Sequence, residues 1–106
     1  MCVHHLHYDD SYYDLMGSKI VCNPAIKTKN DCHSLRAAVR SGKIDVIATD
    51  HAPHSTIDKN CTFQEAAFGI SVLETALGST MSLFHDHGIP IPVLIEKLTA
   101  GPATLI

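Results

Sequence analysis

Apolar and polar positions along the chain change period several times, and each change predicts an element. In "SKIVCNPAIK" a short β-prone run, Ile20-Val21-Cys22, is closed by Asn23-Pro24. Proline has no amide hydrogen to give to a ladder, so a strand is expected to end there, with Asn23 at its C-terminal edge. In "TKNDCHSLRAAVRSGK" the period becomes helical: Leu35, Ala38 and Val39 fall at i, i+3, i+4, Thr28 and Asp31 have the spacing of a capping box, and Gly42 supplies a stop. That pattern predicts a helix of about three turns.

Residues 44–48, Ile-Asp-Val-Ile-Ala, are nearly continuously apolar and β-branched, the pattern of a strand covered on both faces in a parallel sheet. Strand, helix, strand in this order is a βαβ unit. The polar stretch "STIDKNCTFQEAAFG" then reads as an extended loop over the strand ends, where loops carry function. Ile70, Leu73 and Leu77 predict the buried stripe of another helix, broken near Gly78, with a further short segment ending at Gly88. In "IPIPVLIEKLTAGPATLI" a helix is expected from about Pro92, with Val93, Leu94 and Leu98 inward, and Gly101-Pro102 opens one more. The fold class is therefore α/β. Two parallel strands cannot close a sheet, so the chain is expected to be an incomplete part of a larger domain.

Composition narrows the function. The chain has 106 residues, 45% hydrophobic and 18% charged, with a formal charge of -3. That suits one folding unit and offers no basic footprint for nucleic acid or an anionic membrane. No apolar stretch approaches the ~20 residues of a bilayer span, and the start lacks a signal-peptide pattern, so a cytoplasmic location is expected. Cys2, Cys22, Cys32 and Cys61 form no C-x-x-C pair and are expected to be idle thiols.

The remaining signal is "IDVIATDHAPH", where an apolar run stops at Asp50 and two histidines follow within four positions. Catalytic groups in α/β folds gather where strands end, so Asn23 and Asp50 are expected to face one mouth. A carboxylate there can hold a metal ion and accept a proton, and an imidazole can bind an anionic substrate. An aspartate that merely caps the following turn, and an asparagine that merely opens one before proline, are the simpler readings of the same residues.

With "NPAIKTKND", "TDHAPH", "EAAFGISVLETAL", "LTAGPATL" and the opening "VHHLHYDDS", the chain resembles, along essentially its whole length, the C-terminal part of dihydroorotases, members of the cyclic amidohydrolase group. The resemblance implies about the last three strands of a (β/α)8 barrel with their helices, against about 250 residues for a complete one. It implies reversible cyclisation of N-carbamoyl-L-aspartate to dihydroorotate in pyrimidine biosynthesis, and one or two Zn2+ ions. By resemblance Asp50 is the zinc ligand and proton shuttle, His54 holds the substrate carboxylate, Asn23 contacts substrate, and Phe68 and Gly69 supply backbone hydrogen bonds to the pyrimidine ring.

The resemblance gives His51, His4 and His5 no metal role, and packing or supporting hydrogen bonds are expected of the latter two. His7, His33, His85 and His87 are expected to face solvent. Lys27 stands where many relatives carry arginine, keeping the charge without the planar fork. The family's other metal ligands are expected upstream, so this chain alone is expected to be inactive. A homo-oligomer or aspartate carbamoyltransferase is the partner implied. The rival readings are an allantoinase or hydantoinase, a non-catalytic scaffold for the carbamoyltransferase, and a small histidine-rich binder.

Overall fold

The computed structural model describes residues 1–106 throughout, and helices dominate it. The order is α1 (His4–His7), α2 (Tyr12–Met16), a 3-10 turn (Gly17–Ile20), α3 (Lys29–Arg40), α4 (Thr56–Lys59), a second 3-10 turn (Leu73–Thr75), α5 (Ala76–His87), α6 (Ile91–Leu98) and α7 (Ala100–Leu105).

α3 forms where the sequence predicts it, and for the reason the sequence gives. The Thr28 hydroxyl accepts from the Asp31 amide and the Asp31 carboxylate accepts from the Thr28 amide, a reciprocal capping box. Those hydrogen bonds, that from the Thr28 side chain first, hold the Asp31 carboxyl below its ordinary range. Thr28→Ala is expected to lower stability by about 1 kcal/mol, read as a shift in the urea midpoint at unchanged slope. The inner face buries Cys32 and Val39, and Arg36 Nε donates to Leu6 O at 2.8 Å, fastening α3 to α1.

The two expected strands do not form ladders. Ile20 closes the first 3-10 turn and Val21 is merely extended. Between residues 44 and 48 only Ile47 is buried. The parallel pairing consists of two isolated bridges, Cys2 with Ala48 and His51 with Ile70. The physical reason lies in the partner: the segment beside Ala48 is released into α1 at His4, so pairing stops after Ala48 N–H to Met1 O at 2.8 Å and Val3 N–H to Ala48 O at 3.0 Å. A buried-type strand with no strand on its other side has nothing to extend a ladder against.

α5 also departs from expectation. It runs through Gly78 without a break, and Leu73 and Leu77 are 62% and 59% exposed. The inner positions of α5 are Ala76, Thr80 and Leu83; Leu77 stands about 100° round from Ala76, and Leu73 lies in the preceding 3-10 turn, so the two leucines do not share one helix face. The expected stop at Gly88 is observed: Gly88 is left-handed, its amide bonds Phe84 O at 2.9 Å, and the Ile89 amide bonds Leu83 O at 3.3 Å with Ile89 fully buried. α6 begins one residue before Pro92 and buries Leu94, with Val93 and Leu98 against the same core, as expected.

That core joins Val3, Leu6, Val39, Ile47, Val72, Leu83, Ile89 and Leu94. A smaller cluster of Ile20, Cys22 and Ile26, packed on Tyr8, Tyr12 and Tyr13, underlies the Asn23 turn. No helix is long and apolar enough to cross a membrane.

Candidate functional site

Asp50 ends the extended segment in a left-handed conformation, φ 48°, which aspartate tolerates better than most residues, and its side chain is exposed. His51 follows, and its Nδ1 accepts the amides of Val72 and Leu73, each at 3.0 Å. An acceptor at Nδ1 places the ring proton on Nε2. His51 is thus a structural clasp between the Asp50 turn and the approach to α5. Its place beside Asp50 was legible, but the amides it grips lie over twenty residues away.

His54 and Phe68 come together. His54 Nε2–H donates to Phe68 O at 2.9 Å. The Gly69 amide donates to Val21 O at 3.0 Å, and the Ala52 amide to Ile70 O at 3.1 Å, so the 68–70 segment lies between Val21 and Ala52. Asn23 is exposed, follows the buried Val21 and Cys22, and precedes a cis proline. It shares an open apolar cavity of about 560 Å3 with Phe68, Tyr13, Phe63, Val21, Cys22 and Ala25. Asp50 and His54 do not line that cavity.

α1 supplies what the sequence reading did not assign. Ligand atoms of Cys2, His4 and His5 lie within 4.8 Å of one another. His4 is 3% exposed and neither ring nitrogen has a hydrogen-bond partner. Burial, reinforced by His5 and opposed by Asp50, pushes its pKa down to about 4, so the ring is neutral at pH 7 with a lone pair to offer. His5 Nε2 donates to Pro24 O at 2.8 Å, the supporting hydrogen bond expected of it, and so steadies the Asn23 turn. Burial, and next Asp50, raise the Cys2 thiol above its ordinary value. Buried polar groups without partners are rare, and a neutral imidazole beside a sulfur and a second imidazole is a donor set suited to a borderline metal such as zinc.

The other histidines divide. His33 and His85 are exposed as expected. His7 is half-buried and bonds the Ser79 carbonyl, and His87 is half-buried with its pKa lowered mainly by burial.

The backbone course matches part of the fold of two solved hydantoinases. It superposes on the L-hydantoinase (dihydropyrimidinase) of Arthrobacter aurescens with TM-score 0.91 over 97% of this chain and 24% of that one, at 21% identity. The D-hydantoinase (dihydropyrimidinase) of a Thermus species gives 0.82 over 98% of this chain and 24% of its own, also at 21% identity. In sequence, the chain is 42% identical over 84 residues to a dihydroorotase of Desulfotalea psychrophila, covering 79% of this chain and 20% of that protein. It is 41% identical over 102 residues to a dihydroorotase of Ehrlichia chaffeensis, covering 94% of this chain and 23% of that protein. No protein-family model matches. The chain is a segment homologous to dihydroorotases, within the cyclic amidohydrolases, and spans about a fifth to a quarter of the length of these relatives.

Proposed function

We propose that this chain supplies the substrate-binding and part of the metal-binding edge of a zinc-dependent dihydroorotase, built as the closing strands and helices of a (β/α)8 barrel. Sequence likeness supports the substrate, N-carbamoyl-L-aspartate and dihydroorotate. The observation that carries the metal is His4, buried with both ring nitrogens unpartnered beside Cys2 and His5 and within the electrostatic influence of Asp50.

Asp50 and His4 would hold the ion, with His5 or Cys2 close enough to join. Bound there, zinc would supply Lewis acidity and would lower the pKa of water from about 15.7 to about 7. Asp50 takes a proton as the amide is attacked and returns it to the leaving ring nitrogen, base and then acid in one cycle. His54, oriented by Phe68 O, presents its imidazole to the substrate carboxylate, and Asn23 contacts the ring from the neighbouring turn. The Phe68-Gly69 peptide is fully used, its Gly69 N–H on Val21 O and its Phe68 carbonyl on His54, so the donor left for substrate is the Phe68 N–H of the preceding Ala67-Phe68 peptide. The remaining metal ligands, the oligomeric state, and any carbamoyltransferase partner belong to the complete cytoplasmic enzyme in this reading.

A second reading is favoured by one observation. The cavity beside Asn23 and Phe68 is lined by aromatic and aliphatic groups, whereas dihydroorotate carries no apolar substituent, and a hydantoinase acting on ring-substituted substrates would use such a wall. The test is a chimera in which residues 1–106 replace the matching segment of the Desulfotalea psychrophila dihydroorotase. Turnover of dihydroorotate, with hydantoin and allantoin not consumed, is the expected result. Preference for hydantoin or allantoin overturns the substrate. A folded, zinc-free, inactive chimera that co-purifies with aspartate carbamoyltransferase would make the chain a scaffold.

A further inference from the structure

Lys59, the last residue of α4, reaches across the site rather than out to solvent. Its Nζ donates to Val21 O at 3.0 Å, Ala67 O at 2.8 Å and Gly69 O at 3.0 Å. An ammonium has three donors, and all are used on main-chain carbonyls. It has no carboxylate partner, since the ion pair of this molecule is Lys97 with Glu96. A half-buried charge without a counter-ion is expensive, and a hydrocarbon chain would fill the same volume at lower cost. Burial accordingly holds Lys59 below the usual lysine range. What the ammonium does that a hydrocarbon cannot is gather three carbonyls around one point.

Those carbonyls are not scattered. Val21 stands two residues before Asn23, and Ala67 and Gly69 flank Phe68. The Val21 oxygen accepts the Gly69 amide as well, so the lysine and the Gly69 main chain close on the same atom. α4 is fastened in turn: Ser55, the residue after His54, caps it by accepting the Asp58 amide at 3.2 Å, Ser18 Oγ bonds the Lys59 carbonyl, and the Ala67 amide bonds Asp58 O at 3.1 Å. One side chain therefore couples the segments that carry Asn23, His54 and Phe68.

We propose that Lys59 is a positioning residue that holds the Phe68-Gly69 peptide in register with Val21 and His54, which turns the Phe68 carbonyl to His54 and leaves the Phe68 N–H free. Its importance for catalysis rests on the reading of these residues as the substrate edge. The clamp itself does not.

The test uses NMR on the 106-residue chain, with Lys59→Met removing the donors and Lys59→Arg keeping charge but replacing a point donor by a planar fork. Two readouts are followed: exchange of the Gly69 amide, and the imidazole nitrogen signature of His54, whose Nε2 carries the proton in the native hydrogen bond. In Lys59→Met, Gly69 exchange is expected to accelerate at least about tenfold, with the His54 signature changed, while the Leu83 and Leu94 amides keep their protection. Lys59→Arg is expected to change both readouts in the same direction by a smaller factor. If Lys59→Met accelerates the Leu83 and Leu94 amides too, Lys59→Arg decides. Native Gly69 exchange and a native His54 signature in a folded variant overturn the proposal. Turnover of dihydroorotate by the chimera that carries residues 1–106 tests the substrate reading separately: a folded, zinc-loaded chimera that does not consume it removes that reading and leaves the clamp to its own readouts.

Discussion

Gly69→Ala is expected to destabilise the protein by about 3 kcal/mol or more and to disturb His54 at the same time. Gly69 sits at φ 141°, outside the regions that a side chain permits. A Cβ there would lie 2.6 Å from Ala52 Cβ, 2.7 Å from Ala52 O and 3.1 Å from His54 Nε2. Two of those atoms are main chain or attached directly to it, so no rotamer change relieves the overlap. The 68–70 segment would have to leave Val21 and Ala52, breaking the Gly69 to Val21 and Ala52 to Ile70 hydrogen bonds and the His51-Ile70 bridge. The check is urea unfolding of the purified protein followed by circular dichroism, with Gly78→Ala as the control. Gly78 is helical with open space around its Cα, so the same added methyl should be neutral or stabilise by about 0.5–1 kcal/mol. Equal effects at the two positions would show that close approach at Gly69 is not what selects glycine.

The contrast between these glycines marks where the sequence could be read. Features set by neighbouring residues were legible: the Thr28-Asp31 capping box, the Gly88 stop, the helix begun beside Pro92, and the Asp50-His54 turn all lie within a few positions of the groups that determine them. Features set by tertiary partners were not. The β-branched run at 44–48 read as a two-sided buried strand, but its ladder depends on neighbouring strands, and the segment paired with Ala48 turns into α1 at His4. The Leu73 and Leu77 stripe failed for a subtler reason, because Leu73 falls in a 3-10 turn before α5 and packing chose the Ala76, Thr80 and Leu83 face of the helix instead. The site shows the same division. Asp50, His54 and Asn23 were visible as residue types at strand ends, whereas Lys59, whose acceptors are at 21, 67 and 69, and the His51 clasp carry no local pattern. His4 sat in plain view between Val3 and Leu6, yet its significance is a missing partner, which only packing reveals.

That missing partner makes His4 the source of a pH dependence in the metal-free protein. Its folded pKa is about 4 against an ordinary 6.5, first because burial disfavours the imidazolium, next because His5 lies beside it, with Asp50 pulling the other way. The unfolded chain binds a proton at His4 as the pH falls below about 6.5, while the folded chain refuses one until about 4. The unfolded state therefore binds more protons across that window, and stability falls with falling pH, by about 3 kcal/mol in all. Above pH 7 the contribution is fully present, and below 4 no further loss comes from this group. His87, also shifted down by burial, adds a smaller effect of the same sign. Urea unfolding of metal-free protein at intervals from pH 7.5 to 4 should show the decline, and His4→Gln should remove most of it. Zinc should oppose the decline in the wild type, since an ion held at His4 excludes the proton and stabilises only the state that binds it. An unchanged slope in His4→Gln would mean that the acid sensitivity arises elsewhere, and a wild-type decline indifferent to zinc would remove His4 from the metal site.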